Sequence, residues 1–343
     1  MRAMILKRTS LFQENSRPLE MAEVPDPVPE EGEILIRLAA CGVCHTELDE
    51  IEGRTPPPLF PVIPGHQAVG RVAAVGHRVT MHKAGDRVGV GWIHSACGRC
   101  PFCAEGRENL CRDFQATGRD RNGGYGEYMT VPEGSAYPVP KVFSDTEAAP
   151  LLCAGAIGYR SLRLTGIRDG QPLGLTGFGA SAHLVLKMAR RLYPKTDVFV
   201  FARSEREQRF ALELGAVWAG GTEVSPPENL QAVIDTTPAW KPVVAAMRGL
   251  KSGGRLVINA IRKEEADRDA LLGLDYASHL WLEKEIKSVA NVTRADIRNC
   301  LQLAADIPIR PQVQTYPLAE ANRALAELKS GHIRGAKVLT LNE

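Results

Sequence analysis

The spacing Cys97-x2-Cys100-x2-Cys103-x7-Cys111 constrains this chain more than any other feature, because it gathers four thiols on one short loop that also carries Gly98 and Pro101. Four thiolates close a tetrahedral sphere around zinc at Zn–S distances of about 2.3 Å. A closed sphere has no position for water or substrate, so such an ion holds a loop in place and does no chemistry. An iron–sulfur cluster and a metal-free thiol loop are the competing readings. Clusters more often place the fourth cysteine at another spacing, and four loose thiols are an oxidation liability, so the expectation is structural zinc.

The 343 residues suffice for about two domains, each with its own core. A hydrophobic fraction of 44% and a charged fraction of 24% are those of an ordinary globular protein. No apolar run approaches the roughly 18 residues of a membrane helix. A formal charge of +2 gives no field to gather nucleic acid or an anionic membrane, so the expected partner is a small molecule. The opening MRAMILKRTSLFQENS lacks the apolar stretch of a secretory signal, and a cytoplasmic location is expected.

Strand-length apolar runs broken by Gly and Pro (33–40, 69–76, 86–91) predict a β-rich, barrel-like first region. From about residue 172 the pattern alternates strand and helix, which predicts a doubly wound parallel sheet. Strands are expected at 231–237, 255–260 and 286–291, with a final amphipathic helix at 319–332 and strand at 336–341. The domain expectation is a catalytic domain over 1–154 completed by 295–343, and a dinucleotide-binding domain over 155–294.

Within that alternation, Gly177-x-Gly179-x-x-Ala182 follows an apolar strand and opens a helix. The first glycine permits the tight turn, the second lets a pyrophosphate approach the backbone, and the small third residue lets helix and strand pack closely. The next strand ends in Ala202-Arg203-Ser204, without the carboxylate that would bind a ribose 2′-hydroxyl. A guanidinium there pairs with a 2′-phosphate, so NADP is expected over NAD. Ser204 and Glu207 also form an S-x-x-E capping box, which leaves an ordinary surface role open for Arg203.

Cys44, His66 and Cys153 are the remaining metal-ligand candidates. Two thiolates and an imidazole leave a fourth tetrahedral position open, as a catalytic zinc requires. Taken singly, each also reads as a buried thiol or a hydrogen-bonded histidine, and spacing does not choose.

The segments CGVCHTELD (41–49), PGHQAVG (64–70), DRVGV (86–90), the cysteine loop, LLCAG (151–155) and the glycine turn occur in the order and at the distances found in one family. Together they make the chain resemble the zinc-dependent alcohol dehydrogenases of the medium-chain dehydrogenase/reductase superfamily. The resemblance implies a GroES-like catalytic domain joined to a Rossmann domain, and a chain that interconverts primary alcohols and aldehydes by hydride transfer. It implies two zinc ions per chain, one held by Cys44, His66 and Cys153 and a structural one by Cys97, Cys100, Cys103 and Cys111. Cys41 becomes a non-ligand, and the assembly a homodimer or homotetramer. Thr46 matches the hydroxyl that meets the substrate oxygen and starts a proton relay, and His45 a residue beside the cofactor phosphates or in that relay. Arg334 matches a pyrophosphate contact and Trp92 the aromatic lining of an apolar substrate slot.

Three departures stand out. Gln67 replaces the usual glutamate after the ligand histidine. Glu47 stands where an aspartate usually supports that histidine. Asp49 occupies the place of an outer relay histidine, so the last proton step is expected through Asp49 or through water. A zinc-independent quinone or enoyl reductase of the same fold and a non-enzymatic zinc-loop binding protein are the alternatives. The ligand trio argues against the first, and the near-neutral charge with a complete cofactor turn against the second.

Overall fold

A computed structural model describes residues 1–13, 15–307, 309–331 and 335–341. The chain divides into two compact units, Met1–Ala156 with Val292–Glu343, and Ile157–Asn291. No helix among the described residues is long and apolar enough to cross a membrane.

The first unit is built around the strand Glu33–Val43, whose alternating burial places Ile34, Ile36 and Leu38 in the core. Burying such side chains contributes about 1.5–3 kcal/mol each. This strand pairs antiparallel with Ala68–Val75, Tyr128–Pro132 and the C-terminal Ala336–Thr340. The sheet continues through Arg87–Val90 and Ala136–Pro138 on one side and Val313–Pro317 on the other. The apolar run at 33–40 predicts a shorter strand. Pairing of Ala40 to Val43 with Lys337 to Thr340 carries it further, up to the first residues of the candidate site.

The second unit holds a six-stranded, all-parallel sheet in the order Trp218–Gly220, Val198–Phe201, Leu173–Thr176, Leu230–Asp235, Leu250–Ile258, Glu285–Ser288. This is the doubly wound arrangement expected from the strand–helix alternation, with its switch point after Leu173–Thr176. Leu173–Thr176 and Val198–Phe201 are buried throughout, as strands covered on both faces must be. The helices Ala180–Leu192, Glu205–Glu213 and Lys241–Arg248 follow their strands as the sequence predicts. The edge strand Glu285–Ser288 is exposed along its length.

Candidate metal centre and cofactor turn

Cys44 ends the extended segment after Glu33–Val43 and caps the helix His45–Ile51. Glu47 closes that cap, its Oε2 accepting from the Cys44 N–H at 2.8 Å. The other oxygen lies 2.6 Å from His66 Nδ1, with both side chains buried. The carboxylate thereby fixes the imidazole with Nε2 directed away from it, and Nε2 lies 3.2 Å from Cys153 Sγ. Glu47 thus supports the histidine despite being longer than the usual aspartate. Cys153 sits in the π-helical turn Leu151–Gly155, which continues the helix Asp145–Pro150. Such π-turns recur at functional sites because the extra residue re-aims a side chain.

One ligand atom from each of Cys44, His66 and Cys153 lies within 4.8 Å of the others, and the same holds for Cys97, Cys100, Cys103 and Cys111. Tetrahedral zinc with thiolate ligands needs S···S edges of about 3.8 Å. Cys97 Sγ and Cys103 Sγ stand 3.9 Å apart. Both donor sets therefore fit zinc, the quartet closed and the trio with one position left over. In the quartet, backbone N–H groups of Arg99 and Cys100 pull the Cys97 thiol down to about 6. Burial and the neighbouring thiols push Cys103 up to about 12.

The trio is electrostatically tense. Cys153 donates to Cys44, which pushes the Cys44 thiol well down and holds Cys153 well up. Burial opposes the imidazolium of His66, but the Glu47 carboxylate and Cys44 outweigh it and hold His66 well above its ordinary value. Cys41 stays outside the trio, its Sγ 3.6 Å from the Gly42 carbonyl and its thiol pushed up by burial.

Thr46 is buried, with its hydroxyl 3.6 Å from Cys44 Sγ, while His45 is exposed on the same turn. Asp49 is buried, and its carboxylate is taken by Arg54, whose Nε donates at 2.6 Å. Gln67 is buried with its amide against Gly42, where an added Cβ would fall 2.7 Å from it. Trp92 is nearly buried and packs on Phe114 with ring centroids 5.1 Å apart. The expected apolar slot is corrected here, because the guanidinium of Arg119 lies 5.5 Å from the Trp92 ring.

The motif search passed over Glu50, which is 1% exposed and has neither carboxylate oxygen hydrogen-bonded among the described residues. Burial and the nearby Glu47 hold its carboxyl well above the usual range. Its helical spacing from Glu47 was the available signal, since i and i+3 share a face.

In the second unit Gly177 takes φ +80°, and a Cβ there would lie 2.7 Å from Thr236 Oγ1. Gly179 caps the helix Ala180–Leu192, and a Cβ on it would meet nothing within 4 Å. That open cradle at a helix N-terminus fits a pyrophosphate. Ala182 is fully buried. Ser204 caps Glu205–Glu213 in the expected box with Glu207, and Arg203 is exposed with no hydrogen bond or ion pair among the described residues. Arg334 lies outside the described residues.

The alcohol dehydrogenase GroES-like domain family matches residues 30–141, and the zinc-binding dehydrogenase family matches residues 200–339. The probable alcohol dehydrogenase AdhA of Mycobacterium tuberculosis (strain CDC 1551 / Oshkosh) is 42% identical over 94% of this chain and 93% of its own. An alcohol dehydrogenase of Geobacillus stearothermophilus is 33% identical over 98% of this chain and 99% of its own. Among solved structures, a cinnamyl alcohol dehydrogenase from Sorghum bicolor superposes with a TM-score of 0.83 at 26% identity, covering 99% of this chain and 97% of its own. With the sheet order, the two donor sets and these matches in place, the chain belongs to the zinc-binding alcohol dehydrogenases of the medium-chain dehydrogenase/reductase superfamily.

Proposed function

We propose that this chain interconverts primary alcohols and aldehydes by hydride transfer to or from a nicotinamide cofactor, with NADP preferred. The observation that carries the reading is the Cys44/His66/Cys153 trio, three converging donors held by Glu47 with a tetrahedral position to spare. Zinc bound there would act as a Lewis acid that lowers the pKa of an alcohol hydroxyl. The Thr46 hydroxyl, beside Cys44, is placed to hold the substrate proton. His45, exposed on the same turn, offers an outward acceptor or a cofactor contact. Because Arg54 occupies Asp49, the proposed last step of the relay runs through water, with Asp49 anchoring Arg54. The quartet is assigned a second, structural zinc.

Gly177, Gly179 and Ala182 would cradle the pyrophosphate, with Arg334 proposed as a further contact. Arg203 supports the NADP preference because its guanidinium is uncommitted, and Ser204 accompanies it while capping its helix. A homodimer or homotetramer is proposed because the edge strand Glu285–Ser288 is exposed beside exposed Trp281 and Leu282. A cytoplasmic location completes the reading.

The test follows nicotinamide absorbance with aliphatic and aromatic aldehydes, using NADPH and NADH in parallel. Oxidation of NADPH well ahead of NADH is the expected result. Faster use of NADH overturns the cofactor preference, and full activity in Cys153→Ser overturns the zinc chemistry.

A further inference from the structure

Next to Trp92 the first unit contains a cavity of about 530 Å³, within the range of small-molecule sites. Its lining includes Pro58, Leu59, Phe114, Arg119, Asp120 and Arg121. Arg119 is the organised member of this wall. Its Nε and Nη2 grip the Asp120 carboxylate at 3.1 and 2.8 Å, and Asp120 is itself anchored by the Ala116 N–H at 2.6 Å. The guanidinium carbon lies 5.5 Å from both the Trp92 and the Phe114 rings. Nη1 has no hydrogen-bond acceptor among the described residues, and the side chain is 22% exposed. Trp92 connects this cavity to the trio through its neighbour Gly91, where an added Cβ would fall 3.2 Å from the carbonyl of Leu152, the residue before Cys153.

Two flat rings and a guanidinium plane form a wall on which an aryl ring packs well. Asp120 balances the charge of Arg119, so the wall selects by an oriented donor rather than by net field. That donor is fixed before any ligand arrives, which removes the ordering cost of a free arginine.

We propose that Arg119 is a specificity-determining residue that selects aryl aldehydes and alcohols carrying a hydrogen-bond-accepting oxygen, a carboxylate or an alkoxy group, on the ring remote from the reacting carbon. The proposal rests on the alcohol dehydrogenase reading of the trio.

The test compares kcat/KM for benzaldehyde, 4-methoxybenzaldehyde and 4-formylbenzoate in the wild type, Arg119→Leu and Arg119→Lys. Taking each variant against wild type on the same aldehyde cancels the intrinsic effect of the substituent. Arg119→Leu is expected to lower kcat/KM for at least one oxygenated aldehyde tenfold or more beyond its effect on benzaldehyde, mainly through KM. Loss confined to 4-formylbenzoate and partly restored by Arg119→Lys identifies a carboxylate, whereas loss on both oxygenated aldehydes identifies a general acceptor. Equal effects on all three aldehydes overturn the assignment. If no aldehyde turns over, the reading of the trio fails on its own. The subsite is then decided by binding of 4-(hydroxymethyl)benzoate, read by tryptophan fluorescence. Binding lost in Arg119→Leu supports the subsite, and binding unchanged there overturns it.

Discussion

Glu47→Gln tests the support of the open metal site with an isostere. The native carboxylate does two jobs at once, one oxygen on His66 Nδ1 at 2.6 Å and the other on the Cys44 N–H at 2.8 Å. A carboxamide has a single acceptor oxygen, so one of the two donors must face an NH2 group. Either the imidazole loses the partner that fixes its tautomer, or the helix cap at Cys44 opens. Both groups are buried, so water does not replace the lost contact. Removing such an outer partner typically weakens metal affinity 10–100-fold, about 1.4–2.8 kcal/mol. The assay titrates zinc-loaded protein with a chromophoric chelator and reads the release of each ion. Wild type should release two ions. Glu47→Gln should release one of them at 10–100-fold lower chelator concentration while the quartet ion is unchanged, and kcat/KM should fall with the first. Identical release curves for the two proteins would refute the claim that Glu47 holds the histidine.

Four further outcomes are expected. Gly179→Val should leave the melting temperature near wild type, since a Cβ there meets no protein atom, yet weaken cofactor binding by fluorescence titration by at least tenfold; unchanged binding means the pyrophosphate lies elsewhere. Arg203→Ala should lower kcat/KM for NADPH about 10–100-fold, the worth of a charge-assisted hydrogen bond, with little change for NADH. Glu50→Gln should raise the melting temperature at neutral pH. The folded state holds Glu50's proton above the pH at which the unfolded chain releases it, so stability falls as pH rises through that window, and the variant should flatten this trend in scanning fluorimetry. Burial depresses the imidazole of His183 to about 4, so between that value and its ordinary one near 6.5 the unfolded chain binds more protons than the folded one. Stability should therefore fall as pH drops through that window, by up to about 3 kcal/mol, and His183→Gln should remove that part of the slope.

Features made by neighbours along the chain were legible in the sequence. The quartet is one loop, so its four ligands could be read from spacing alone, and the turn from Gly177 to Ala182 depends on two φ-permissive residues between a strand and its helix. The parallel sheet followed from alternating apolar runs for the same reason. The trio was different, because from spacing alone Cys44, His66 and Cys153 were three unrelated residues and only the resemblance joined them. What brings them together is Glu33–Val43, extended by pairing with the C-terminal strand, and a π-turn that re-aims Cys153. Helical periodicity put Glu47 and Glu50 on one face, but only the packing left Glu47 against His66 and Glu50 without a partner. The same holds for Asp49, claimed by Arg54, and for Arg119, stacked on Trp92. Residue identity determined which chemistry the chain carries. Tertiary structure decided which groups are partnered and which are left available, because hydrogen bonds and burial depend on distances between segments that are remote in sequence.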